Sequence, residues 1–405
     1  MEIRSITIGK NLNPSIDQIP FPHLARFQAE ARRRFEAAGL PVQTVRLATQ
    51  PFPEILGSQG APAAPAFAQE LETVCQRHGI DYCSIGTVPA DQTGTNLDFI
   101  DVIPEILDQT EMAFASALVA SRGSGIHLAA IARCAQVVAD VAHATPDGFG
   151  NLRFAVLANC DPGSPFFPAA FHCGDATAFS IATEAADLAV EAFTAATTLA
   201  EARVNLQLAV EGTAATIEAV SRDLAAEFDL RFGGIDFSLA PYPETARSIA
   251  HALEALGVDA FGANSTLFAV AFTTQVLRQA RFPRCGFSGL LLPVLEDRTL
   301  AQRSAQSLYT LDSLLLYSAV CGTGLDTVPL PGDVSVDELA AILLDMATLA
   351  VVADKPLTAR LMPIPGKSAG EMTDYDFSYF ANGRILETRN LGGQGLFAGG
   401  PFVEW

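Results

Sequence analysis

Leu157 to Asp175 reads LANCDPGSPFFPAAFHCGD, nineteen residues that hold three prolines, two glycines, two cysteines, one histidine and two aspartates. The β-rich residues 152–157 in front of it read as a core strand, and the alanine-rich stretch from Ala176 onward reads as helix. The quoted stretch is therefore expected to be a strand-to-helix crossing loop. Such loops collect ligands in α/β proteins, because the loop is free to vary while the sheet beneath it stays rigid. The other reading is a stiff connection whose prolines only set its path.

Outward from the loop, the same alternation recurs. Upstream, residues 3–8 and 42–48 read as strands around a helix over 22–39, and a helix over 70–78 leads to a short strand at 81–85. After a helix over 99–107, a strand over 112–120 hands over to Ser121-Arg122-Gly123-Ser124-Gly125 and a helix over 126–143. Backbone N–H groups of that glycine-serine turn could cradle an anion at the helix N-terminus, with Arg122 beside it; a plain tight turn is the competing reading. Downstream, residues 176–228 contain no proline and are interrupted only by Gly212, so they read as two packed helices. Strands follow at 232–239, 286–294, 321–330 and 357–364, separated by helices over 245–256, 265–279, 299–317 and 336–351. This β-α succession predicts an α/β protein with a largely parallel sheet.

Composition narrows the function classes. With 49% hydrophobic and 17% charged residues the chain can bury a large core. A net charge of −20 with 25 Lys and Arg opposes binding to a phosphate backbone, so no nucleic-acid partner is expected. No apolar run reaches bilayer length, and the start, MEIRSITIGKNLNP, lacks a basic segment followed by an apolar one, so a soluble cytoplasmic protein without a membrane partner is expected. The seven cysteines, at 75, 83, 134, 160, 173, 285 and 321, are odd in number and form no CxxC pair, which disfavours structural zinc and a disulfide frame.

Three strand ends in the second half carry acids: Asp236, then Glu296 with Asp297, then Asp326 with nearby Asp333. If those strands share one sheet, the carboxylates can converge on a single mouth, where they would suit Mg²⁺ or Ca²⁺ or an acid/base pair. Alternatively Glu296, Asp297 and Asp333 cap the helices that follow them. Asp236 and Asp326 are the better site candidates. In the crossing loop, His172 and Asp175 lie three residues apart with Cys173 between them, so the histidine is a candidate general base or an activator of a thiolate at Cys173 or Cys160.

The ordered set RSITIGKNL, IPEIL, SRGSGIHLAAIA, FAVLANCDPGSPFFPAAFHCGD, GGIDFSLAPYPETARSIAHALEALGVDAFG, FSGLLLPVLED, CGTGLDTVPLPGD, RLMPIPGK and the GGQG of the tail resembles the uncharacterised DUF711 family, also called UPF0210, along nearly the whole chain. The resemblance implies a fold like that of glycyl radical enzymes: a large α/β barrel of two parallel half-sheets with outer helices, in a homodimer. On that basis the chain is expected to be one barrel domain, with half-barrels of roughly 1–175 and 230–405 joined by helices over 176–229. The tail, Arg389-Asn390-Leu391-Gly392-Gly393-Gln394-Gly395, lacks an RVxGY-like motif, which argues against a glycyl radical role. Where the family usually has glycine and glutamate, this chain has Cys173 and Asp175, so the resemblance moves weight from the thiols to Asn159, His172 and Asp175.

The resulting expectation is an enzyme acting on a small polar or anionic metabolite. His172, Asp175 and Asp236 are its expected catalytic groups. Asn159, Arg122, Ser124 and Lys367 are expected to bind substrate, and Asp297 and Asp326 to hold a divalent cation, Mg²⁺ or Ca²⁺. The rival expectation is a ligand-binding or regulatory protein of the same architecture.

Overall fold

The computed structural model describes residues 1–17, 20–389, 396–397 and 402–403, so the GGQG of the tail lies outside the described residues. Among the described residues eleven strands form one sheet: Glu2–Gly9 (β1), Val42–Ala48 (β2), Tyr82–Val88 (β3), Ala113–Ser121 (β4), Gly125–His127 (β5), Phe154–Ala158 (β6), Ala178–Glu184 (β7), Arg231–Asp236 (β8), Gly324–Pro331 (β9), Leu357–Ile364 (β10) and Phe402–Val403 (β11). Their main order is β8-β7-β1-β2-β3-β4-β6-β10-β9. β1, β2, β3, β4 and β6 form a parallel block. It is flanked by β7 with β8 and by β10 with β9, two parallel pairs that run opposite to it. The fold is thus mixed α/β, a large and mostly parallel sheet with helices around it. β6, β7, β9 and β10 are buried along their whole length, as strands covered on both faces must be.

Local chemistry sets the helix limits. Ser335 caps the helix Val336–Ala353, its hydroxyl accepting from the Glu338 N–H while Glu338 reaches back to the Ser335 N–H; Asp354 ends the helix in a left-handed conformation. Thr198 caps the 30-residue helix Leu199–Phe228 in the same way from one side.

Four sequence expectations change. Residues 176–228 are not two helices alone: Ala178–Glu184 is the strand β7, between β1 and β8, followed by the helices Ala186–Thr194 and Leu199–Phe228. The crossing loop therefore joins strand to strand. The run 286–294 forms no regular strand, because Gly286, Gly289 and Pro293 interrupt the pattern; it makes isolated parallel bridges from Leu290 to Leu239 and Pro293 to Asp326, and Arg284 just before it bridges Ile235. The helix expected over 299–317 is two, Arg298–Ala305 and Leu311–Ser318.

A buried chain of charge ties distant strands together. Arg360 of β10 donates from Nε to Asp326 Oδ1 of β9 at 2.5 Å and from an Nη to Glu296 Oε1 at 2.8 Å. The other oxygen of Glu296 accepts from Arg4 of β1, whose second Nη reaches Glu184 of β7 at 3.1 Å. Glu184 in turn pairs with Arg247 and accepts from Gln43 at 2.8 Å. β1 and β10 stand well apart in the sheet order yet share Glu296, so the sheet is strongly curled about this point. Burial pushes the Glu296 carboxyl up, but the two guanidiniums outweigh it and hold it below its ordinary range.

Removing one member of a buried ion network leaves the others charged and unmatched, which costs about 3–5 kcal/mol, whereas an exposed pair contributes roughly 0–1 kcal/mol. Glu296→Ala is thus expected to lower unfolding free energy by about 3–5 kcal/mol. Arg122→Ala, which breaks the exposed pair with Asp354, is expected to cost about 1 kcal/mol at most. Urea titrations of both variants check this; equal midpoints would show that the network does not carry the curl.

Candidate functional site

The carboxyl ends of β1, β2, β3, β4 and β6 surround a cavity of about 630 Å³. Its wall is built from the residues that follow each strand: Asn11 after β1, Gln50 after β2, Asp91 after β3, Ser121 and Arg122 at the end of β4, and Asn159 to Pro162 after β6. Because β10 runs antiparallel to β6, its start, Lys355 and Pro356, comes to the same edge. Position at the carboxyl edge of a parallel block is where α/β sheets gather ligands.

The crossing loop closes the cavity from within. After exposed Asp161 to Gly163, residues 164–172 are almost wholly buried and lie along the sheet: Pro165 O accepts from Thr7 Oγ1 at 3.1 Å, and Ala170 O accepts from Ser84 Oγ at 2.7 Å. The His172 N–H donates to Thr49 O at 2.8 Å, which seats its ring against Gly9. A methyl group at Gly9 would fall 2.5 Å from His172 Nδ1, so only glycine leaves room for the ring. Gln50 fixes the segment after β1 with bonds to Leu12 N (2.9 Å) and Leu12 O (2.8 Å). Asn159, in left-handed geometry, accepts from the Arg122 N–H at 2.7 Å and donates to Ala350 O at 2.7 Å, joining three segments of the rim.

Three sealed polar atoms on this wall have no hydrogen-bond partner: Asn11 Oδ1, Asp91 Oδ1 and His172 Nε2. Buried polar groups are nearly always satisfied, so three orphans among the residues of one wall are unusual; being sealed, they meet a ligand only when their side chains turn toward the cavity. Burial lowers the His172 value from its ordinary 6.5, aided by Arg231 and Lys10 and partly offset by the backbone of Gly174, so the ring is neutral at pH 7. Burial raises the Asp91 carboxyl, against a stabilising contact from Ser121. Lys355 turns its ammonium away, donating to Ser318 O at 2.8 Å and Cys321 O at 2.5 Å, and burial lowers it. The rim is acidic: Glu54, Asp161 and Asp354 are exposed there, against Arg122, which pairs with Asp354.

The sequence candidates divide. His172, Asn159 and Arg122 meet at this cavity. Ser124 does not line it; Ser121 to Gly125 is a hairpin turn between β4 and β5, and the helix Leu128–Ala144 starts beyond it with His127 as its cap, so the anion cradle does not form. Asp175 is exposed and stands off the cavity wall. Lys367 follows the carboxyl end of β10, which antiparallel pairing puts at the opposite end of the sheet; there it pairs with Asp374 at 2.9 Å. Asp236 pins the 284–289 turn, accepting from Phe287 N (3.0 Å), Ser288 N (2.7 Å) and Ser238 Oγ (2.5 Å). Asp297 caps Arg298–Ala305 through Thr299 N and Leu300 N, both 2.9 Å, and also binds Ser248 Oγ (2.7 Å) and Ile249 N (2.6 Å). Asp326 belongs to the buried charge chain. The Asp236 and Asp297 oxygens, already filled by N–H and O–H donors, do not fit a Mg²⁺ or Ca²⁺ shell, and Asp326 gives Oδ1 to Arg360 while its Oδ2 is sealed without a partner. Among the described residues no group of three or more His, Cys, Asp or Glu is placed to hold a metal.

Cys160 lines the cavity, yet its thiol is pushed up to about 12 by burial and bonds Ala158 O and Leu357 O, both at 3.5 Å, so it stays protonated and inert; Cys173 is exposed. Asp91 was missed by the sequence reading. The signal was present, a lone acid after the apolar run of β3.

The family described as "Uncharacterised ACR (DUF711)" matches residues 1–378. A UPF0210 protein of Pyrobaculum arsenaticum is 34% identical over 92% of this chain and 87% of its own length. One of Desulforudis audaxviator is 33% identical over 97% and 92%, and one of Methanocaldococcus jannaschii is 26% identical over 93% and 88%. No helix among the described residues is long and apolar enough to cross a membrane.

Two outcomes follow from the placements. Asn at 236 would turn an amide donor toward backbone N–H groups, so Asp236→Asn is expected to destabilise by about 1–3 kcal/mol in urea titration. An unchanged midpoint would contradict the pinning role. For His172, the folded value lies below the unfolded one, so the unfolded chain takes up the proton first as pH falls. Its contribution to stability is complete above pH 6.5 and is lost as pH falls below it through the folded value. NMR titration of the ring is expected to give a midpoint below 6.5, and His172→Asn should flatten stability against pH in that window.

Proposed function

The chain belongs to the DUF711 family, and from that premise we propose that it is an enzyme acting on a small polar metabolite in the cavity at the carboxyl edge of the parallel block. The observation that carries the reading is the convergence of Asn11, Asp91 and His172 on one space at the carboxyl edge, each with a sealed polar atom that has no partner in place. A neutral histidine and a buried carboxyl have their proton affinities moved toward each other, His172 down and Asp91 up. Such a pair can exchange protons with a substrate near neutral pH. The His172 ring serves as acceptor or donor according to its tautomer, Asp91 as its counterpart, and Asn11 orients the ligand. With Glu54, Asp91, Asp161 and Asp354 on the wall and Lys355 turned away, the electrostatics favour a neutral or cationic polar ligand over an anionic one.

The sheet supports a closed barrel as the finer description of the fold. The parallel bridges of 284–293 to β8 on one side and β9 on the other would complete a second parallel half-sheet opposite the first.

Native protein denatured after purification is expected to release one small polar compound near one equivalent, identified by mass spectrometry. With that compound supplied, Asp91→Asn is expected to lower turnover by about 10²-fold or more, the usual scale for a positioned acid/base, with binding weakened far less. Stoichiometric binding with no conversion by the wild type would leave a binding protein instead.

A further inference from the structure

A second cavity, of about 90 Å³, lies on the other side of the crossing loop, and its wall combines Arg4, Arg46 and Arg360 with aromatic rings. A single water needs about 10–15 Å³ on that scale, so the space holds several. Pro165, Phe166 and Phe167 separate it from the His172 cavity, to whose wall the same loop contributes Phe171 to Gly174.

The charge around it is uneven. Arg4 and Arg360 are matched, because both oxygens of Glu296 are taken by them. Arg46 is not. Its Nε donates to Thr44 Oγ1 at 2.9 Å, and its guanidinium lies over the rings of Phe167 (5.1 Å) and Tyr82 (5.6 Å). Its two Nη atoms find no acceptor among the described residues, yet they are not among the sealed orphan atoms; they keep surface that the cavity can reach. Burial, and then the neighbouring Arg4, push the Arg46 value down to about 10, against a weaker upward pull from Tyr82 and Glu296. A guanidinium so placed offers a planar fork of donors that matches two oxygens of one carboxylate.

We propose that this cavity is a second ligand site and that it takes a small carboxylate anion, its oxygens bridging the Nη atoms of Arg46 and its short tail lying between Phe166, Phe167 and Tyr379. The carboxylate supplies the acceptors that the Arg46 Nη atoms lack. The aromatic lining favours a ligand with an apolar tail over a fully hydrated inorganic anion, and the volume limits that tail to a few carbons. The site is distinct from the acidic His172 cavity in place and in charge, so neither reading depends on the other.

The test is calorimetric titration of the full chain with sodium acetate and sodium propionate, chloride being exchanged to hold ionic strength constant. Saturable one-site binding is expected, at least tenfold weaker in Arg46→Gln and within twofold of wild type in His172→Asn. Where Arg46→Gln does not fold, wild-type crystals grown without carboxylates and soaked in propionate are expected to show its density against Arg46. No saturable binding to the wild type, equal affinity in Arg46→Gln, binding lost with His172→Asn instead, or an Arg46 left bare in the soaked crystal would each overturn the proposal.

Discussion

The carboxylate of Glu296, held from two sides by Arg4 and Arg360, is the contact on which the rest of the molecule's interior depends. Its partners belong to β1 and β10, with four other strands between them in the sheet order, and they can reach one carboxylate only if the sheet curls. A buried ion network adds little net stability over an apolar equivalent. Its value here is geometric: opposite charges in a low-dielectric interior tolerate no register other than the one that matches them. Asp326, Glu184 and Arg247 extend the match, so strands β1, β7, β9 and β10 are tied at one level.

Curling creates an inner side, and the crossing loop fills it. A loop can be buried only if its backbone groups find partners, and here hydroxyls of the sheet supply them: Thr7 to Pro165 O, Ser84 to Ala170 O. The prolines help by removing N–H groups that would otherwise need acceptors. The loop then divides the interior. Its aromatic part faces the arginines, and its last residues deliver His172 to the carboxyl edge. Ser164 to Ala170 follow the stiff path, while Asn159 and His172 stand at the cavity.

What could be read from the sequence follows from how local the cause was. VQTVRLA and LTARLMPI announce strands by β-branched, apolar runs bounded by turn residues, and both limits agree with β2 and β10. Ala178–Glu184 hid because alanine favours helix, and only pairing with β1 and β8 makes it a strand. The meeting of His172, Asn159 and Arg122 at one cavity was legible because turn-rich loops at strand ends collect side chains at that edge. Asp236 and Asp297 met the same rule, yet backbone N–H groups and hydroxyls take their oxygens, and a lone acid looks the same in sequence whether a ligand or the backbone satisfies it. The charge chain was illegible for a different reason: Arg4 and Arg360 lie more than 350 residues apart, and no short-range pattern pairs them.

The two cavities also explain how one interior accommodates groups of opposite sign. At the carboxyl edge, exposed acids sit in water and cost little, while the single buried one, Asp91, answers burial by holding its proton more tightly. Below the loop, Arg4 and Arg360 are each bound to carboxylates, and Arg46 is the arginine of that wall whose Nη atoms have no acceptor among the described residues. A guanidinium remains charged under such conditions, because losing the proton would require a value near neutrality and burial lowers it only to about 10. A cation that cannot discharge and has no acid to pair with must be solvated by whatever occupies the space beside it. Water can do this in part; a carboxylate does it better, and the aromatic rings over which the guanidinium lies hold the fork in the plane where such an anion would meet it.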